Sequence, residues 1–409
     1  MKRCGILVVI LSIVLIGSHS RATGSEKAWS TIDMGGIKVA PDQLREMQQG
    51  KFILHAKGGR LRKVPVEKTP LLLDPYGHVQ ICQVFAGPGQ AIYAAQCTVL
   101  SKSMDRSRTW EHQSVKPAAG TEFQKVTQGN NFLNLQILPD GTWIRGREKG
   151  GEISILASVD QGRSWTERGR FGKELGVSDL RLSSPKVLRD GTLLVPVTAV
   201  SGEPWPSPQG KRRCLLYRSK DGGKTFLPPT RICEWGHEMN IDELPTGKLL
   251  VSIRYQRPLL PEDPPDILQK TGSAKYGAPF PYKHVFVADS MDGGESWSPV
   301  RQVCTDHGQC YGDAVGLTKG RVVMVYDHRY PRSVASARAI ISDDEAHSWR
   351  DEVYYLSHGD VAGYAMTVTL DGEEMLTMTG SFYANGGPTG WGDLIGRTRH
   401  QIIRWRLED

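Results

Sequence analysis

The sequence predicts an all-β fold, a six-bladed β-propeller of four-stranded antiparallel blades, and three observations predict it. A box of the form SxDxGxxW, or a near copy, occurs five times at intervals of roughly 50 to 70 residues, the scale of repeated supersecondary units. A glycine-closed turn leading into an apolar segment occurs six times. The segments between turn and box are β-branched, apolar and too short for helices. Four short strands per unit, repeated six times, describe a propeller.

Composition agrees with this reading. With 39% hydrophobic and 23% charged residues, the 409-residue chain can bury a sizeable core, which excludes a disordered or collagen-like chain. Its 45 glycines and 10 tryptophans fit many tight turns with large packing residues beside them. At the amino terminus, Lys2 and Arg3 lead into the apolar run Ile6 to Ile16, and Ser20-Arg21-Ala22 offers small residues for cleavage. This is the pattern of a secretory signal over residues 1–22, and the run is too short to span a bilayer. No later segment is apolar enough to span, so the mature chain is expected outside the cytoplasm, secreted or periplasmic, with no membrane span. Residues 23–50 read as a lead-in and 51–409 as the propeller.

Cleavage would leave 48 of the 51 basic residues against 44 acids, lowering the net charge from +7 to +4. The bases are dispersed, which excludes a nucleic-acid partner. Cys4 leaves with the signal, and six cysteines remain, with no CxxC spacing of a zinc site. An even number in an exported chain favours disulfides. Nearest-neighbour pairing would join Cys82 with Cys97, Cys214 with Cys233 and Cys304 with Cys310.

The boxes run Ser103 to Trp110, Ser158 to Trp165, Ser219 to Phe226, Ser290 to Trp297 and Ser342 to Trp349. Their chemistry is that of a hairpin turn: Asp and Ser side chains bond nearby amides, glycine supplies positive φ, and the aromatic packs beneath. The first and last copies lack the glycine, so their turns are expected to be strained. The second repeat places turns at Pro75-Tyr76-Gly77, Pro139-Asp140-Gly141, Arg189-Asp190-Gly191, Pro245-Thr246-Gly247, Thr318-Lys319-Gly320 and Leu370-Asp371-Gly372. The sixth unit has no box. Its outer strand is expected from the other chain terminus or from the strand-like run Gln401 to Trp405.

With these boxes the chain resembles the sialidase superfamily, whose six-bladed propellers carry them as Asp-boxes, over roughly residue 50 to the carboxyl terminus. The boxes of that group lie away from the catalytic face, so they imply the fold and leave the chemistry to other residues. In the fourth unit, Glu238 is followed by Glu243-Leu244-Pro245-Thr246-Gly247-Lys248-Leu249-Leu250 and Arg254, similar to the family segment ExxxxELPxGxLxxxxR. The resemblance implies that Glu238 polarises a nucleophile and Arg254 holds a substrate carboxylate. Alternation places Arg254 on the strand face opposite Leu249, Val251 and Ile253. In the sixth unit, the segment from Gly363 to Gly372 is similar to the family's nucleophile strand and makes Tyr364 the candidate nucleophile. A neutral phenol suits an anomeric carbon flanked by the sugar's own carboxylate, where a carboxylate nucleophile would be repelled. Glu238 would accept its proton.

Other family positions fit less closely. Lys68 stands where the first arginine of the carboxylate-binding triad belongs, keeping the charge and losing the bidentate fork. Arg329, Arg332 or Arg338 would supply the third. The family's first-unit aspartate, its general acid and base, has no counterpart: between Asp74 and Asp105 there is no Asp or Glu. Gln83, Gln90 and Gln96 cannot donate and recover a proton as a carboxyl does. Asp313, Asp242, His237, His307 and His328 are the alternatives for that work.

The resemblance implies a secreted, exo-acting glycoside hydrolase whose substrate is a glycan ending in an acidic sugar. The alternatives are a polysaccharide lyase on the same propeller and a non-catalytic glycan-binding propeller. No phosphate loop, dinucleotide fingerprint, GxSxG elbow, metal-ligand spacing or EF-hand-like acidic run appears, so no cofactor is expected. The proline-rich insertions Gly202 to Gly210, with Trp205, and Arg257 to Phe280 are expected to border the active face.

Overall fold

The computed structural model describes residues 34–72, 83–115, 131–201, 211–270, 282–303, 309–328, 334–358, 363–382 and 398–408. Their strands form six antiparallel sheets, the blades of a propeller. From the inner strand outward, blade 1 is Gln83–Ala86, Ile92–Ala95, Val99–Ser103 and Glu111–Ser114. Blade 2 is Gln136–Ile137, Trp143–Lys149, Glu152–Ser158 and Thr166–Phe171. Blade 3 has a split inner strand, Asp179–Leu182 and Lys186–Val187, then Leu193–Ser201, Lys211–Ser219 and Leu227–Glu234. The split falls at Pro185, which has no amide hydrogen for the ladder. Blade 4 is Gly236–Glu243, Leu249–Arg257, Tyr282–Ser290 and Arg301–Gln302. Blade 5 is Gln309–Gly316, Val322–His328, Ser336–Ser342 and Glu352–His358. Blade 6 is Gly363–Thr369, Glu374–Phe382, Thr398–Arg406 and Glu67–Pro70.

Each blade is sandwiched between two others, which explains the continuous apolar runs. In Val322 to Tyr326 every residue is buried, and alternate side chains serve different cores. Val322, Met324 and Tyr326 pack with Leu250, Val285 and Val287 of blade 4. Val323 and Val325 pack with Ala365, Met375 and Ile403 of blade 6. Similar cores join blades 6 and 1, 1 and 2, 2 and 3, and 3 and 4, so the ring of interfaces closes.

Closure decides between the two expected sources of the outer strand of blade 6, in favour of the other chain terminus. The run Gln401 to Trp405 lies in the third strand of blade 6, and the amino-terminal strand Glu67–Pro70 pairs outside it, Thr69 opposite Ile402. This pairing joins the end of the chain back onto its start and ties the first and last blades together. The residues before that strand extend blade 5. The hairpin Phe52–Lys57 and Arg60–Pro65 adds two strands to its outer edge, with Leu54 opposite Tyr355, and the helix Pro41–Gln49 buries Leu44 and Met47 nearby. No helix among the described residues is long and apolar enough to cross a membrane.

All five boxes share one hydrogen-bond set. The first Ser hydroxyl donates to the Asp carboxylate. The same Ser Oγ accepts the amide four residues on, at 2.8 Å in each copy. The Asp also accepts the hydroxyl of the Thr or Ser four residues after it. These bonds, the side-chain one first, hold Asp105 and Asp160 at a pKa of about 2. Where the middle copies have Gly162, Gly223 and Gly294 at φ of 82°, 90° and 86°, the first and last have Ser107 at 66° and Ala346 at 69°. The turn is kept, and the backbone of a residue with a Cβ is forced into the left-handed region.

The glycines of the second repeat, Gly141, Gly191, Gly247, Gly320 and Gly372, all have positive φ. Pro75 to Gly77 lies outside the described residues and precedes the inner strand of blade 1, whose own turn is Gly87 to Gln90 with Gly89 and Gln90 left-handed. Cys214 and Cys233 are register partners on adjacent strands of blade 3, and both are thiols in this structure. Cys82, Cys304 and the side chain of Cys310 lie outside the described residues.

Candidate active site

Three successive inner strands carry a bulge at the same level. The register shifts between Gly236 and Met239 in blade 4, Gln309 and Gly312 in blade 5, and Gly363 and Met366 in blade 6. A bulge adds a residue, bends the strand and re-aims side chains. These three bring His237 and Glu238, Tyr311, and Tyr364 together.

Glu238 is the centre of the cluster. Its Oε1 accepts the Tyr364 hydroxyl at 2.7 Å, and its Oε2 accepts Nη1 of Arg254 at 2.5 Å. Nδ1 of His237 lies 3.0 Å from the same Oε2. Burial pushes the Glu238 carboxyl up, but the Arg254 guanidinium, His237 and the Tyr364 hydroxyl together hold it well below the usual carboxylate range. Burial lowers the pKa of His237, and the charges of Arg254 and Arg212 add to that against the pull of Glu238. The balance shifts His237 toward its neutral form.

Arg254 lies opposite the face of Leu249, Val251 and Ile253, which pack toward blade 3. It is 8% exposed, and its Nε donates to Gln256 at 3.2 Å. Arg212, at the start of the third strand of blade 3, is 2% exposed. Burial first and the neighbouring Arg254 second lower its pKa to about 9. Tyr311 braces the cluster from blade 5. Its ring meets Tyr364 edge to face at 4.5 Å, its hydroxyl donates to Asn240 Oδ1 at 2.9 Å, and its amide donates to Asp327.

The expected residues therefore divide. Glu238, Arg254 and Tyr364 meet. Lys68 does not join them: it lies on the outermost strand of blade 6, three strands from Tyr364, and donates to the carbonyl of Met47 at 2.6 Å. The strand that carries it is used for ring closure, which sets its side chain against the amino-terminal helix. Arg329 and Arg332 lie outside the described residues, as do Trp205 and His307. Arg338 is fully buried in the third strand of blade 5, its Nε on Ser336 and its guanidinium 4.8 Å from the Tyr355 ring centre. His328 is buried on the second strand of that blade. In the described part of the fourth-blade insertion, Arg257 binds Asp263 through both terminal nitrogens and lies 3.8 Å over the Tyr282 ring.

Asp242 and Asp313 sit farther along the inner strands. They line an axial cavity of about 590 Å³ to which all six blades contribute. Lys186 donates to Asp242 at 2.8 Å, and Asp313 accepts the Thr367 amide at 2.8 Å. Burial, with nearby Asp242 adding to it, pushes Asp313 up to about 7.

Sequence reasoning missed Arg212 and Tyr311. Arg212 belongs to the run Lys211-Arg212-Arg213 ahead of an apolar strand, and nothing in that run marks which cation turns inward. Tyr311 precedes Gly312 and Asp313 as Tyr364 precedes Ala365 and Met366, at the matching bulge, and that correspondence was its only signal.

A model of the BNR repeat-like domain matches residues 141–378. No curated protein matches the chain. Among solved structures, a protein of unknown function from Dyadobacter fermentans is 17% identical, covering 83% of this chain and 98% of its own, with a TM-score of 0.55. The α-L-arabinofuranosidase of Fusarium graminearum, solved with an iminosugar inhibitor, is 13% identical, with coverages of 83% and 97% and a TM-score of 0.56. A Hadza microbial sialidase is 15% identical, with coverages of 85% and 69% and a TM-score of 0.52. These likenesses are in fold. The family model spans more than half of the chain, and the protein belongs to the BNR repeat-like domain family.

Proposed function

We propose that the protein is a glycoside hydrolase of sialidase type, removing a terminal, anionic sugar from a glycan outside the cytoplasm. The observation that carries this reading is the 2.7 Å hydrogen bond from Tyr364 to Glu238 beside buried Arg254. A phenol held on an ionised carboxylate is prepared to lose its proton as it attacks an anomeric carbon. Arg254 and Arg212, both largely desolvated, raise the positive potential around the pair, which favours an anionic ligand there. The BNR family and the glycosidases among the similar folds agree with a carbohydrate substrate without specifying it.

The test is turnover of aryl glycosides that include sialosides and uronides. Hydrolysis confined to acidic sugars supports the reading. Release of an unsaturated uronate, seen by its absorbance, would replace it with a lyase, and binding without turnover would replace it with a glycan-binding propeller. Export rests on residues 1–22, outside the described residues. Sequencing the amino terminus of the protein recovered from cells checks it, and an intact Met1 would remove it.

A further inference from the structure

Among the described residues, blade 1 supplies no acid to the mouth of the propeller. Among the described residues of blade 1, the only carboxylates are Asp105, in its box, and Glu111, on its outer strand. The connection from its second to its third strand is a tight turn closed by the Gln96 amide on the Val99 carbonyl at 2.8 Å. Gln96 is fully buried, held by the Leu72 carbonyl and by His400. Such a turn has no length to carry a carboxyl over the site.

The bulge of blade 4 brings a different proton carrier to the nucleophile pair. A regular strand would send His237 and Glu238 to opposite faces. The register shift between Gly236 and Met239 lets both turn to one side, so that Nδ1 of His237 reaches Glu238. The backbone there is fixed by the Thr198 hydroxyl, which donates to the His237 carbonyl. With the Glu238 carboxylate lying against Nδ1, Nε2 is the ring nitrogen left for a substrate, and the side chain is 20% exposed.

We infer that His237 moves the proton to and from the leaving-group oxygen, in place of the absent first-blade aspartate. The inference rests on the hydrolase reading with Tyr364 as nucleophile. In the first step the Tyr364 oxygen bonds to the anomeric carbon and its proton passes to Glu238. The bond from that carbon to the leaving oxygen breaks, and the oxygen takes the proton of the imidazolium Nε2. In the second step water attacks the anomeric carbon and gives a proton to Nε2. The bond to Tyr364 breaks, and the phenolate recovers its proton from Glu238. One water is consumed, and every protein group returns to its starting form.

The groups facing His237 determine its pH behaviour. Burial, then Arg254 and Arg212, outweigh Glu238, and the ring titrates below its ordinary 6.5. The imidazolium needed to expel a poor leaving group therefore declines as pH rises through that range. A nitrophenolate needs no such proton.

Two glycosides of one acidic sugar, the methyl and the 4-nitrophenyl, test this. For the wild type, kcat/KM on the methyl glycoside should already fall as pH rises below the ordinary imidazole range, while the nitrophenyl profile stays flat there. His237→Gln should lose at least about 100-fold on the methyl glycoside and far less in kcat/KM on the nitrophenyl one. Azide, a nucleophile that needs no base, should restore its nitrophenyl turnover. Equal losses on both substrates without azide rescue, or wild-type profiles that coincide, would overturn the inference. If His237→Gln does not fold, the wild-type profiles decide alone. Tyr364→Phe separates the two readings: nitrophenyl turnover that survives it sinks the hydrolase mechanism itself, and His237 falls with it.

Discussion

The Tyr364 hydroxyl and Glu238 Oε1 meet at 2.7 Å although 126 residues separate them and blade 5 stands between their blades. The contact exists because inner strands two blades apart face a narrow axis and each is bulged at the same level. Glu238→Gln keeps the size of the side chain and removes its charge. Turnover is expected to fall at least about 100-fold with the fold intact, measured as kcat alongside thermal unfolding.

Arg254→Ala takes the guanidinium from a largely buried carboxylate. Leaving one charge of such a pair costs about 3 kcal/mol, and the Glu238 carboxyl should rise toward its ordinary range. Urea denaturation measures the first effect, and the pH profile of any residual turnover measures the second. Acidic ligands should also bind more weakly, whereas a variant matching wild type in stability and binding would remove the anion site.

Asp313 titrates at about 7 in the folded chain against 3.8 when unfolded. Between those values the folded state keeps a proton that the unfolded chain has lost, so stability declines as pH rises through that window. Asp313→Asn retains an acceptor for the Thr367 amide and cannot ionise. It should match wild type near pH 4 and exceed it above pH 7 by at most about 4 kcal/mol, read from denaturation at both pH values.

Ser107 and Ala346 hold the left-handed position that glycine fills in the three middle boxes. Ser107→Gly and Ala346→Gly should each stabilise the protein by about 0.5–1 kcal/mol, less strain being partly offset by a more flexible unfolded chain. Gly223→Ala should do the reverse, since its new Cβ would lie 3.1 Å from Ile155 Cγ2. Melting temperatures of the three variants check the signs.

Cys214 and Cys233 stand opposite each other in register, and antiparallel partners have Cα separations of about 4.5–5.5 Å, within disulfide range. Protein recovered from an oxidising compartment should yield a peptide linking the two in non-reducing mapping. Two alkylatable thiols in that material would show that the pair stays reduced.

The sequence alone determined what is local and repeated. Each box closes its bonds within a few residues, and each turn glycine answers a backbone demand of its own hairpin, so both recur visibly and count the blades. Glu238 and Arg254 were legible as a pair because one hairpin of blade 4 carries both. The tertiary structure decided the rest. Which strand closes blade 6, and with it the fate of Lys68, depends on an interface between the two ends of the chain. Whether Tyr364, Tyr311 and Arg212 turn inward depends on bulges and on packing between neighbouring blades. Those energies come from contacts more than a hundred residues apart in some cases, and no short window of sequence contains both partners.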